Sequence, residues 1–228
     1  MVEYRGIGPT NPNGQFSGRE VPYISRRALL YMASSLMLGR YVAAQPQEVL
    51  HETFEDFERF RSEWNFYGGR EVNTTSDSRA GTQALKLGGD DLGTVINRHV
   101  EELSGWHLSF YAKDATDRTK SLPAWQLSFE SNNGLAGFYT SMEDGLFHFV
   151  AADRRGRHNM NIGTRVDNEF HYFEIIDDSS RTAYSVDGKQ QILEEFSFSP
   201  ALRPSLIELS TERDSSVIID ELILRRLR

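Results

Sequence analysis

The 228-residue chain has no cysteine. Disulfides, thiolate-bound metals and a thiol nucleophile are excluded, so a packed core must hold the fold. Lysine is nearly as scarce, with only Lys86, Lys113, Lys120 and Lys189, and arginine carries almost all of the basic charge. An excess of positive charge is missing too: the formal net charge is −8. Phosphate backbones are held by clustered positive surface, which argues against nucleic acid as a partner. The one long apolar run, residues 28–38, is about half of the roughly 20 residues that a membrane-spanning helix needs. Also absent are a His-rich metal pattern, a phosphate-cradling glycine loop and a serine elbow.

What is present begins with that apolar run. Arg26 and Arg27 close a polar leader, residues 28–38 follow, and Gly39-Arg40-Tyr41-Val42-Ala43-Ala44 leads into polar Gln45. A basic region, a short apolar core, small residues and a polar start make the order of a secretory signal. Cleavage is expected after Ala44, with Val42 and Ala44 as small flanking residues, and no cysteine follows that could carry a lipid anchor. The arginine pair ahead of leucines resembles the twin-arginine class, which moves folded proteins across a membrane. The expected organisation is a signal peptide over residues 1–44 and one domain over residues 45–228. That domain is expected to be secreted or at the cell surface, without a transmembrane anchor. It has 20 basic and 31 acidic residues, a net charge of −11. Such an acidic, lysine-poor, arginine-using surface is similar to that of proteins from salt-loving archaea.

From His51 onward, short alternating runs are separated by Gly, Asn, Asp and Ser clusters, with no long helical period. That pattern predicts an all-β fold, a two-sheet antiparallel β-sandwich. Residues 106–113 send Trp106, Leu108, Phe110 and Ala112 to one face, and His107, Ser109, Tyr111 and Lys113 to the other. Residues 125–130 repeat the alternation, with Gln126, Ser128 and Glu130 on the polar side. Asn132-Asn133-Gly134 and Glu143-Asp144-Gly145 read as turns around strands at 135–142 and 146–150. Asp187-Gly188 joins 182–186 to 189–193 as a tight hairpin, because this pair takes positive φ cheaply. The last strand covers 217–224.

Three segments carry a family resemblance. Glu52-Thr53-Phe54-Glu55-Asp56-Phe57, with Trp64 and then residues 80–87, resembles the opening of carbohydrate-binding jelly rolls. Residues 169–175 with 183–189 resemble the penultimate hairpin of laminin-G-like and concanavalin A-like domains, with Phe170 in place of the usual tryptophan. Residues 217–222 resemble the closing strand of the same group. The resemblance implies a concanavalin A-like jelly roll and a glycan ligand, but the group is functionally broad.

Three candidate chemistries follow. The resemblance implies a structural calcium held by Glu55 and Asp220, with Asp56 a weaker candidate; calcium wants six to eight hard oxygens, so backbone carbonyls and water would complete the shell. A sugar platform stacks pyranose rings on aromatic faces beside amides and carboxylates. The polar sides of the central strands offer Tyr111, Gln126, Ser128, Glu130, Tyr139, His148 and Glu174 for it, whereas Trp64, Trp106 and Trp125 are assigned to the core. The third is the basic patch Asp153-Arg154-Arg155-Gly156-Arg157-His158. Its forks suit sulfate or carboxylate, against the plainer reading of a turn whose arginines pair with surface acids. The leading expectation is a secreted, non-catalytic glycan-binding module. The alternatives are a glycoside hydrolase using Glu130, Glu174 or His148, a polysaccharide lyase using Gln126, His148, Arg154 and Tyr139, and an envelope adhesion module that contacts protein. A glycosidase needs two carboxylates about 5 to 9.5 Å apart, and Glu130 and Glu174 are the pair offered for that role.

Overall fold

Alternating strands with one apolar face must bury that face against a second sheet. The computed structural model describes residues 46–68, 72–89, 91–141, 143–178, 182–193 and 203–227, and it builds two such sheets. The arginine pair and the rest of the leader lie outside the described residues. The strands in chain order are β1 (Gln47–Glu52), β2 (Asn65–Gly68), β3 (Val72–Thr75), β4 (Ala84–Gly88) and β5 (Thr94–His99). They continue as β6 (Trp106–Asp114), β7 (Trp125–Ser131), β8 (Gly134–Thr140), β9 (Leu146–Asp153) and β10 (Gly156–Arg165). The last five are β11 (His171–Asp177), β12 (Thr182–Val186), β13 (Lys189–Leu193), β14 (Leu206–Thr211) and β15 (Ser216–Arg226). Sheet I runs β13-β12-β11-β6-β15-β4-β3, with β1 also paired to β15; sheet II runs β10-β9-β8-β7-β14-β5-β2. Every pairing among them is antiparallel, as the all-β reading predicts. No helix of the described residues is long and apolar enough to cross a membrane.

The inward residues of both sheets form one aromatic-rich core. Phe173 of β11 stacks on Phe110 at 5.0 Å and meets Phe138, Phe147 and Trp125 edge-on at 5.0, 5.2 and 5.9 Å. Trp64, Trp106 and Trp125 are all buried, as expected of core tryptophans. Asp187 and Gly188 both take positive φ (51° and 73°), closing the β12–β13 hairpin as the sequence predicts.

Two features depart from simple alternation. The first is a two-turn helix, α1 (Phe57–Glu63), capped by Asp56, whose side chain accepts from the Arg59 N–H at 3.0 Å. Phe60 anchors it, edge-on to Phe54 and tilted against Trp64. A segment this short carries too little period to be told from a strand by pattern alone. The second is a bulge in β15. Its register slips between Asp220 and Ile223, and Glu221 takes a φ of 49°. The buried set therefore switches from Val217 and Ile219 before the bulge to Leu222 and Leu224 after it.

Candidate functional site

Residues directly opposite each other in antiparallel strands share a face, so register converts sequence positions into surface rows. On the outer face of sheet II, one row crosses all seven strands: Tyr67, Val95, Ser210, Gln126, Tyr139, His148 and Asn161. A second row carries Asn97, Glu208, Ser128, Gly137, Val150 and Asn159. A third brings Leu206, Glu130, Leu135, Ala152 and Arg157 together. The middle of the first row, Val95, Ser210, Gln126 and Tyr139, floors a groove of about 640 Å³ with Glu143 and Arg157 at its border. Arg157 reaches it from the third row, its Nε–H donating to Asn159 Oδ1 at 2.9 Å.

Two residues of the first row are held by neighbours. The Tyr139 ring stacks on His148 at 5.1 Å, and His148 Nε2 lies 2.9 and 3.1 Å from the two Asp144 oxygens. Burial raises the Tyr139 phenol above its ordinary pKa, and the nearby Arg157 guanidinium opposes that in part. Burial also pushes Asp144 up, but the Leu146 N–H and His148 outweigh it, leaving the carboxyl below its usual range. Gly137 leaves the second row bare between Ser128 and Val150; a Cβ there would clash with the Leu127 carbonyl oxygen. Glu208, which sequence reasoning did not single out, is pushed up by burial and then by the Glu130 carboxylate. Glu130 in turn accepts from Ser128 Oγ at 2.6 Å. The signal for Glu208 was available, because Ile207 and Leu209 alternate with it and are buried.

The sequence candidates therefore fall on two opposite faces. Gln126, Ser128, Glu130, Tyr139 and His148 share sheet II, whereas Tyr111 and Glu174 lie on the outer face of sheet I. Glu130 and Glu174 do not face one another, and the carboxylate beside Glu130 is Glu208. On sheet I, Glu174 is enclosed: Tyr172 donates to its Oε1 at 3.2 Å, Ser185 to its Oε2 at 3.0 Å, and His107 Nε2 lies 3.3 Å away. Burial pushes the Glu174 carboxyl up, but His107, Ser185 and Tyr172 more than offset it and hold the carboxyl low. Tyr172 itself is pushed up to about 12, chiefly by burial. Tyr111 is covered on its flanks, by the Tyr172 ring at 4.9 Å and the Arg79 guanidinium at 5.8 Å. Arg154 is exposed at the β9–β10 turn, where its neighbour Arg155 forks onto Asp153 at 3.0 and 2.9 Å. The arginine that reaches the groove is Arg157.

Glu55 and Asp220 converge on one loop from different elements. Asp220 Oδ2 accepts from the Arg79 and Ala80 N–H groups, both at 2.7 Å. Glu55 accepts from the Thr82 hydroxyl at 2.6 Å and from the Thr82 and Gln83 N–H groups at 2.5 and 3.0 Å. Those bonds, led by the Thr82 hydroxyl, lower the Glu55 pKa. Asp220 Oδ1 is buried with no hydrogen-bond partner, an oxygen that suits a hard cation. Glu55 has committed both oxygens to the loop, and Asp56 caps α1. Among the described residues no group of three or more His, Asp or Glu side chains is gathered for a metal, so any such site would lean on backbone oxygens.

Comparison with known proteins finds no matching family model and no matching curated protein. Solved structures do match. Domain 4 of AbnA, an extracellular GH43 arabinanase from Geobacillus stearothermophilus solved with arabinotriose, is 11% identical at a TM-score of 0.59, covering 80% of this chain and 94% of that one. The binding domain of botulinum neurotoxin serotype D/C is 11% identical at a TM-score of 0.56, covering 78% of this chain and 48% of that one. The same toxin domain in complex with rat synaptotagmin II matches at an equal score. The chain thus spans about half the length of the toxin domains it matches. At this identity the likeness is one of fold, a two-sheet β-sandwich.

Proposed function

We propose that this chain is a secreted, non-catalytic glycan-binding module whose sugar lies in the groove on the outer face of sheet II. The observation that carries the reading is the juxtaposition of Gln126, Tyr139 and Ser210 along one groove floor, with Arg157 and Glu143 at its sides. An aromatic face, an amide, a hydroxyl and charged groups are what a saccharide needs for stacking and for its hydroxyls. Two fold neighbours add support, one solved with arabinotriose and another in complex with SialylT. Export in folded form by the twin-arginine route, and an acidic surface suited to high salt, complete the proposal. A structural calcium at Asp220 belongs to it as well, where the ion would tie the 79–83 loop to β15. A glycan array run in high salt beside a reducing-sugar release assay tests the reading. Binding without product supports it, and silence in both assays favours a protein ligand.

One observation favours a second reading, glycoside hydrolysis. Glu208 and Glu130 are diagonal neighbours on β14 and β7, and Glu208 is raised by burial and by Glu130, the condition a general acid needs. Sugar release by the wild type and its loss in Glu208→Gln would establish that reading.

A further inference from the structure

The groove accounts for the middle of the first row of sheet II, but the row continues past it. Tyr67 sits at its far end, on edge strand β2, opposite Val95 of the groove. The neighbouring Phe66 pairs with core residue Ile96 and lies edge-on to Phe60 at 5.8 Å, while remaining 38% exposed at the sheet edge. Alternation therefore turns Tyr67 outward, and it is 55% exposed, among the most exposed large apolar side chains described. On the same face, Asn65 Nδ2 donates to Asn97 Oδ1 at 3.2 Å, so two amides share that face with Tyr67.

From Tyr67 to Tyr139 the row crosses β5, β14 and β7. Four strand spacings of about 4.8 Å span about 19 Å. A pyranose unit is about as long as one such spacing, so a linear chain laid across the strands meets roughly one strand per sugar. Charge selects among chains. Glu143 and Glu212 border the groove against Arg157 alone, and Glu208 and Glu130 lie alongside in a domain of net charge −11. An anionic polymer is repelled along most of that path, whereas a neutral, hydroxyl-rich one is not.

We infer that the ligand is a neutral linear oligosaccharide bound along its length, with Tyr67 as a distal stacking platform about four units from Tyr139. This rests on the glycan-binding reading of the groove and adds Tyr67 and the chain length to it.

The test is calorimetric titration in high salt with neutral arabino- and cello-oligosaccharides, from dimer to hexamer. Wild-type affinity rises with length to the tetramer or pentamer and then levels. Tyr67→Ala removes that rise, lowering affinity for the pentamer roughly tenfold while leaving dimer and trimer unchanged, and Tyr67→Phe behaves as wild type. A Tyr67→Ala protein that binds every length as tightly as wild type, while Tyr139→Ala abolishes binding, overturns the distal platform and leaves the groove reading intact. Equal losses at every length also overturn it, because the ring would then belong to the groove itself. No binding of either series at any length overturns both.

Discussion

Replacing Asp220 isolates the tie between the 79–83 loop and β15 from the rest of the fold. Its Oδ2 is the shared acceptor of the Arg79 and Ala80 N–H groups, each at 2.7 Å, and the side chain is only 1% exposed. Hydrogen bonds to a charged acceptor are worth about 1.5–3 kcal/mol each. The two donors are half-buried, so water recovers part of the loss in Asp220→Ala, and removal of the unpartnered Oδ1 relieves a further desolvation cost. The net destabilisation is about 2–4 kcal/mol, with Asp220→Asn losing roughly half of that because it keeps one acceptor without the charge. For a domain of this size each kcal/mol moves Tm by about 2–4 °C, so Asp220→Ala should melt about 5–15 °C lower. Urea unfolding should show a lower midpoint at unchanged slope. An Asp220→Ala protein within about 0.5 kcal/mol of wild type would show that the two bonds contribute no more than an ordinary surface contact. The same melts test the cation: calcium should raise Tm in wild type but not in Asp220→Asn, and a wild-type Tm indifferent to both calcium and chelator removes the ion from the account.

Other consequences follow from individual side chains. Phe173→Ala empties the centre of the aromatic core and should cost about 3–5 kcal/mol in urea unfolding. Gly137→Ala forces a Cβ against Leu127 O and should destabilise by about 1–3 kcal/mol, read as a lower thermal midpoint. Glu55 is held below its ordinary value of 4.5, so its contribution is fully present above that pH and is lost as pH falls through the lower folded value. The Tm difference between wild type and Glu55→Gln should therefore shrink on acidification below pH 4.5, and a difference that stays constant would contradict the assignment.

The strands were legible because their burial alternates. Residues 106–113 became β6 with the predicted inward set, and 182–193 became β12 and β13 around the predicted Asp-Gly turn. Helix α1 was not legible, since seven residues are too short a window for a helical period to stand out. Strand order was the larger loss. Gln126, Tyr139 and Glu174 all sit on polar faces in the sequence, and only the pairing of β11 with β6 and of β7 with β8 shows that Glu174 belongs to the opposite side. Arg154 and Arg157 look equivalent in a run of arginines. Which one reaches the groove depends on a strand register that local sequence does not encode.

Under the proposed function, sugar binds on sheet II and not on sheet I. Titration of the neutral oligosaccharide series into Tyr139→Ala and Glu174→Gln proteins, both confirmed folded by thermal melting, decides it. Tyr139→Ala should lose binding while Glu174→Gln binds as wild type. Loss of binding in Glu174→Gln with full binding in Tyr139→Ala would contradict it and move the site to the opposite face.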